Sequence, residues 1–395
     1  MKAIVLGDTH FGGSYSLGTT NSYRQLNSRL IDYANTFDRV IDHMKVEGIK
    51  HIIITGDIYE HRRPQAAEMS IFTEKLQRLR EIGAHTHMVV GNHDIVRDQN
   101  ATTLDMLKNL KIPNINIYKN VETVICSDGS EDVINFIFFP FRTRQMFKCA
   151  ENIEAVNRLS SLLQYELSML KQGYKILIGH FMIQETTLGQ TVANSPMNEI
   201  ALPVSMFKDL DGVIMGHVHG HEIIKTDPFV SYIGSMERNN FGDANDEKYF
   251  LEIDTNEGLC YTFKPLFTRP LYDIEIDMRN LKEDDPTEFC INYCTKFFED
   301  NFPKDSIVRI TVFVNSNIAH NLKKERLRRF IKSKIHHCVG IHVHIVSNRQ
   351  LRKESINERC SPSSSFEDYL SLIKDEIMRE KMREKGLEII SQRNQ

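Results

Sequence analysis

The chain has 395 residues, 41% of them hydrophobic and 26% charged, with a formal net charge of −4. That length is too great for one ordinary domain core, and that balance argues against both a disordered chain and a membrane protein. The start, MKAIVLGD, meets Asp8 after a short apolar run, too soon for a signal peptide or a membrane span, so a cytoplasmic protein is expected. Seven scattered cysteines (Cys126, Cys149, Cys260, Cys290, Cys294, Cys338 and Cys360) lack paired CxxC spacing and are read as reduced thiols without a cysteine zinc site.

Five times in the first part of the chain, an apolar run of strand length stops at a short polar cluster. Lys2 to Leu6 precedes GDTH, His51 to Ile54 precedes TGD, and His87 to Val90 precedes GNHD; Tyr174 to Ile178 precedes GH, and Gly212 to Met215 precedes GHVH. Helical spacing lies between them, at Phe37, Val40, Ile41 and Met44 ending near Gly48, and at Phe72, Leu76 and Leu79 ending at Gly83. A third helix is predicted over Ala150 to Leu170, and further strands over Ile134 to Phe139, Tyr249 to Ile253 and Leu259 to Phe263. The alternation predicts an α/β layered sandwich over 1–268 with its polar clusters on loops at strand ends.

After Arg269 and Pro270 the pattern changes to strand (Leu271 to Ile276), helix (Pro286 to Phe298), strand (Ser306 to Val314), helix (Leu322 to Ile335) and strand (Ile341 to Val346). That predicts a small second α/β domain over 271–350. The stretch 360–365, CSPSSS, reads as a linker, and 366–395 as a last helix with Phe366, Leu370, Ile373 and Ile377 in one apolar stripe.

The polar clusters supply oxygen and imidazole donors, which hard divalent cations require, and loops at the ends of neighbouring strands can bring such distant positions together. Asp8 and His10 alternate, as do His217 and His219, so each pair can project both side chains the same way. In order and spacing, GDTH, GD, GNHD, GH and GHVH resemble the signature of the calcineurin-like metallophosphoesterases. The resemblance implies a four-layer sandwich, two central β-sheets flanked by helices, holding two divalent metal ions. It implies one metal on Asp8, His10 and His219, a second on Asn92, His180 and His217, and Asp57 bridging the two. It also implies that His93 faces the scissile phosphate and that Asp94 holds the ring of His93. Two cations clamp a phosphate and lower the pKa of a water, and His93 suits protonation of the leaving oxygen. The remaining histidines, His51, His85 and His87 among them, fit no metal position and are read as surface or core residues without chemistry, with His221 the nearest exception.

For the substrate, TGDIYEHRRP and YIGSMERNNFGD resemble segments of the SbcD-type DNA nucleases and of their tailed-phage recombination-endonuclease relatives. That resemblance implies a DNA exonuclease and endonuclease using Mn²⁺, with Mg²⁺ as the alternative. It further implies a capping domain after Pro270, and a homodimer within a heterotetramer with an SbcC-like, SMC-type ATPase bound by the C-terminal helix. If the chain is phage-encoded, the host cytoplasm is its place. From His320 to Lys353 ten lysines and arginines face one acid, Glu325, a local charge of +9. Lys323, Arg326, Arg328 and Arg329 are therefore candidate DNA contacts, as are Arg24, Arg29, Arg62 and Arg63 nearer the polar clusters. One departure is Glu60, which stands where relatives of eukaryotic type carry a histidine three residues after the bridging aspartate. The competing readings are a phosphodiesterase of small or cyclic nucleotides, and a metal-bearing scaffold that recruits the ATPase without cutting.

Overall fold

The computed structural model describes residues 1–20, 26–96, 101–127, 133–188, 199–280, 285–301, 304–346, 366–367, 370–371 and 376–392. Arg24, the linker 360–365, and Arg349, Arg352 and Lys353 of the basic run lie outside the described residues.

In chain order the first half comprises β1 (Lys2–Leu6), α1 (Ser28–Glu47), β2 (His51–Ile54), α2 (Ala66–Glu81), β3 (His85–Val89), α3 (Asp105–Asn109), β4 (Ile115–Tyr118), β5 (Glu122–Cys126), β6 (Ile134–Phe139) and α4 (Asn152–Met169). There follow β7 (Tyr174–His180), β8 (Met182–Ile183), β9 (Ala201–Leu202), β10 (Gly212–Gly216), β11 (Glu222–Thr226), β12 (Phe229–Tyr232), β13 (Lys248–Asp254) and β14 (Cys260–Leu266). β1 reads KAIVL, apolar on both faces, and is covered on both sides, as a central parallel strand requires. α1 begins where the Asn27 side chain accepts from the Arg29 backbone N–H at 2.9 Å, and ends where Gly48 takes φ 70°.

Two six-stranded sheets result, one ordered β14-β13-β1-β2-β3-β4 and the other β11-β12-β10-β7-β6-β5. β1 to β4 run parallel, as do β6, β7, β10 and β12. Three apolar cores separate the layers. Phe37 and Phe72 of α1 and α2 pack on Ile52 and Met88 of the first sheet. Val5 and Ile53 meet Phe136 and Ile178 between the sheets. Leu159 and Leu163 of α4 cover Leu177 and Val213 of the second sheet. Fully burying each such side chain contributes about 1.5–3 kcal/mol. The order helix, sheet, sheet, helix is the four-layer sandwich that the sequence predicts.

Beyond it, β15 (Leu271–Met278), β16 (Ile307–Asn315) and β17 (His337–Val346) form a parallel sheet with α5 (Pro286–Asn301) and α6 (Lys324–Lys332) against one face. This unit has its own core of Ile274, Ile276, Cys290, Val312 and Leu327. It is tied to the sandwich by Arg269, which donates to both carboxylate oxygens of Asp32 at 2.8 and 2.6 Å and to the Asp305 carbonyl at 2.7 Å.

Several boundaries differ from expectation. α6 is shorter than the predicted helix from Leu322 to Ile335, because those two residues enter the same core from flanking turns. The last segment does not run as one straight helix from Phe366. Arg383 of α7 (Glu376–Gln392) pairs with Glu367 at 2.9 Å, and residues sixteen apart on one helix would lie about 24 Å apart, so the chain doubles back. No described helix is long and apolar enough to cross a membrane.

Candidate metal centre

The loops after β1, β2, β3 and β10, and the end of β7, all leave from the carboxyl ends of strands in the two facing sheets, where open α/β folds gather ligands. Donors from both sheets meet there. Asp8, His10 and His219 form one group whose ligand atoms lie within 4.8 Å of one another, and Asp8, Asp57 and His180 form another. Asn92 Oδ1 accepts from His180 Nε2 at 2.8 Å and lies 3.0 Å from His217 Nδ1. Asp57 Oδ2 stands between the groups, 3.8 Å from His10 Nε2 and 3.4 Å from His180 Nε2. All seven residues from the sequence pattern therefore converge on one place.

The glycines that precede these residues permit the convergence. A Cβ on Gly91 would stand 2.2 Å from Asp57 Oδ1, and one on Gly216 2.4 Å from Asp8 Oδ1, so only bare backbone lets the loops approach this closely. His10, Asp57 and His217 have φ of 40°, 47° and 89°. Such left-handed backbone costs a non-glycine residue about 1–3 kcal/mol and persists where function holds it.

The buried charges set one another's protonation. Burial pushes the Asp8 carboxyl up, and Asp57 adds to that, against the opposing pull of His180. Burial acts the same way on Asp57, but His180 and His10 outweigh it and hold that carboxyl far below its usual range. Burial would lower His10 and His180; Glu60, Asp57 and Asp8 instead raise His10 to about 9, and Asp57 and Asp8 raise His180 to about 10. Without a cation, imidazolium protons thus balance the carboxylates. His10 is fully buried with neither ring nitrogen in a hydrogen bond, although Glu60 Oε2 lies 3.0 Å from Nδ1 off the N–H direction. Buried nitrogens without a hydrogen bond, beside carboxylates, form the donor set that divalent cations take.

Neighbours hold these side chains in place. His180 Nδ1 donates to the Thr55 carbonyl at 2.9 Å, Thr55 Oγ1 donates to Asp8 Oδ1 at 3.1 Å, and Asn239 Nδ2 lies 3.3 Å from His219 Nδ1. The segment YIGSMERNNFGD acts as a clamp. Met236 N–H donates to the Asp8 carbonyl and Ser235 N–H to the His219 carbonyl, while Lys248 Nζ donates to that same carbonyl at 2.9 Å. Two carboxylates at the site are not among the ligands that the sequence pattern implies. Glu60 sits beside His10, and Glu199 Oε2 lies 3.3 Å from His217 Nε2.

His93 reaches the same place. Its backbone N–H donates to Asp57 Oδ1 at 2.8 Å, and its ring stands edge-on to His10 with centroids 5.0 Å apart. The ring's partner, however, is the Glu60 carbonyl, which accepts from Nδ1 at 2.5 Å, and not Asp94. Asp94 is buried and accepts from the backbone of Gly91 at 2.9 Å and of Ile58 at 3.1 Å, so it braces the loop that carries Asn92 and His93.

The basic candidates divide. Arg29 is buried and cannot meet DNA, because its guanidinium donates to Asp32 at 2.8 Å, Glu237 at 3.2 Å and the Arg238 carbonyl at 2.7 Å. Arg62 and Arg63 lie in the loop before α2, half-buried and exposed respectively. Lys323, Arg326, Arg328 and Arg329 are exposed at or on α6, but Arg326 pairs with Glu288 at 2.5 Å and Arg328 with Glu325 at 3.4 Å.

Residues 1–221 match the family model described as calcineurin-like phosphoesterase. The SbcD component of the SbcCD nuclease from Staphylococcus epidermidis is 25% identical over 285 residues, which cover 70% of this chain and 72% of the relative. The protein of the same name from Staphylococcus saprophyticus is 24% identical over 290 residues, covering 72% and 73%. Among solved structures, a dimetal phosphatase from Danio rerio aligns with a TM-score of 0.42 and 11% identity, over 67% of this chain and 96% of that one.

Proposed function

The chain belongs to the calcineurin-like phosphoesterase family and is a metal-dependent phosphoesterase, and from that premise we propose that it is a DNA nuclease subunit that works with an SMC-type ATPase. Supporting the substrate are the two staphylococcal relatives, each named as the SbcD component of the SbcCD nuclease. The observation that carries the reading is the single cluster of seven nitrogen and oxygen donors with His93 at its edge. Asp8, His10 and His219 would hold one cation and Asn92, His180 and His217 another, with Asp57 shared between them. When bound, a pair of Mn²⁺ or Mg²⁺ ions clamps the phosphate and lowers the pKa of the attacking water.

The chain's own residues do the rest. His93 donates Nδ1–H to the Glu60 carbonyl, which leaves Nε2 as the nitrogen that can deliver a proton to the leaving oxygen. Asp94, through Gly91 and Ile58, keeps that loop at the depth where Asn92 and His93 both reach the phosphate. Residues 1–268 serve as the nuclease domain and 271–350 as a cap whose exposed Lys323 and Arg329 engage phosphates. Residues 366–395 bind the ATPase, and the active assembly contains two copies of the chain.

Purified protein in Mn²⁺ is therefore expected to cut labelled linear duplex and single-stranded DNA. Exchanging Lys323, Arg326, Arg328 and Arg329 for glutamine should weaken DNA cleavage at physiological salt yet leave hydrolysis of a small phosphodiester unchanged. A protein that turns over only the small diester, and does so equally well after those exchanges, would be a nucleotide phosphodiesterase instead.

A further inference from the structure

Away from the metal centre, where β2 begins and beside the middle of β3, three side chains read as inert in the sequence come together. We propose that His51, His87 and Cys126 form a second metal site, selective for a thiophilic divalent cation of the zinc class, that pins the first sheet to the second. One ligand atom from each lies within 4.8 Å of the other two. They come from three strands, β2, β3 and β5, so that an ion held by them would bridge the two sheets across the inter-sheet core.

His87 supplies the independent sign of a ligand. It is 2% exposed, and its Nε2 is buried without a hydrogen-bond partner. Its other nitrogen, Nδ1, lies 2.8 Å from the Tyr118 hydroxyl. When Nδ1–H donates there, the ring is fixed in the tautomer whose Nε2 lone pair is open, which is how a metal-binding histidine is commonly oriented. The ring is also wedged against Phe138, its centroid 5.7 Å away and its plane 12° off parallel. Cys126 is 4% exposed. His51 is only half-buried, and His85 stacks on it with centroids 5.1 Å apart, so this rim is the side from which an ion would enter.

The donor chemistry selects the ion. Two imidazoles and one thiolate suit zinc far better than manganese or magnesium, which prefer oxygen. A bound zinc ion would hold these donors at about 2.0–2.1 Å for nitrogen and about 2.3 Å for sulfur. Binding forms one Zn–S and two Zn–N bonds and releases the Cys126 proton to water, while both imidazoles bind neutral. Burial keeps the metal-free thiol protonated, pushed up to about 11, and holds His87 neutral, down to about 3.

Sulfur makes the test specific, because the described donors of the candidate metal centre are all oxygen or nitrogen. Co²⁺ titrated into the full chain under reducing conditions should produce a near-ultraviolet sulfur-to-cobalt charge-transfer band that Zn²⁺ displaces. The band should vanish in Cys126→Ser and persist in Cys260→Ser, which alters an exposed thiol. Absence of the band from the full chain, or its survival in Cys126→Ser, would overturn the proposal. Should Cys126→Ser fail to fold by circular dichroism, His51→Gln at the half-exposed rim decides instead. A shifted or weakened band supports the site, and an unchanged one counts against it.

Discussion

Glu60 links two histidines of the metal centre, with its carboxylate 3.0 Å from His10 Nδ1 and its carbonyl on His93 Nδ1. A carboxylate beside a metal-binding imidazole typically controls metal affinity by about 10- to 100-fold. Glu60→Ala is expected to weaken Mn²⁺ binding by about that factor in a calorimetric titration while far-ultraviolet circular dichroism stays unchanged; unaltered affinity would remove Glu60 from the centre. His87 offers a second test, on stability. Burial, with His51 and His85 nearby, lowers its imidazole from 6.5 to about 3. The unfolded chain therefore takes up this proton between those values and the folded chain does not. The stabilisation is fully present above pH 6.5 and is lost as pH falls towards 3, by about 1.4 kcal/mol per unit well inside that window. In chelator-treated protein, His87→Phe should flatten this part of the stability profile, and identical profiles would show that His87 titrates normally. Among single residues, the seven donors were legible because each belongs to a short polar cluster that ends an apolar run in its own stretch of sequence. Glu60 stood out only as a departure from the eukaryotic-type pattern and Glu199 not at all, because their nearness to His10 and His217 arises only when loops from different strands close over one another.

At the scale of elements, α1 and the segment Tyr232 to Asp243 are locked together through Arg29. Its fully buried guanidinium binds Asp32, Glu237 and the Arg238 carbonyl, and Thr36 donates to Glu237 at 2.6 Å. The same segment carries Asn239 to His219 and Met236 to Asp8, so the lock also holds the centre. Removing one partner of a buried charge cluster leaves the others uncompensated, at a cost of about 3–5 kcal/mol. Arg29→Met should lower stability by about that amount in urea denaturation, and a loss under about 1 kcal/mol would mean that water reaches the cluster. The sequence marks this segment as distinctive, yet it presents Arg29 as a surface cation. Only the fold reveals that two acids, one of them far along the chain, surround it. The C-terminal stripe has a similar limit, because apolar residues spaced four, three and four suit one straight helix as well as a helix that doubles back.

For the whole molecule, the alternation of strand and helix was enough to predict a layered α/β sandwich, because each apolar run needed cover on both faces; that there are four layers follows from the resemblance carried by the five polar clusters. The order of strands was not legible, and neither were the edge strands β5 and β11, ETVIC and EIIKT, whose exposed and charged residues dilute the strand signal. What the architecture accomplishes is to bring loops from two facing sheets to one end, where carboxylates and imidazoles too costly to bury alone neutralise one another. In the proposed function this end binds metal through one set of residues and works on the phosphate through another. The most direct measurement is Mn²⁺ content beside DNA cleavage for the unsubstituted chain, Asp57→Ala and His93→Ala. The expected result is that Asp57→Ala loses bound metal and cleavage together, while His93→Ala keeps its metal and loses cleavage by about 10²- to 10⁴-fold. Full cleavage by His93→Ala, or full metal content in Asp57→Ala, would contradict it.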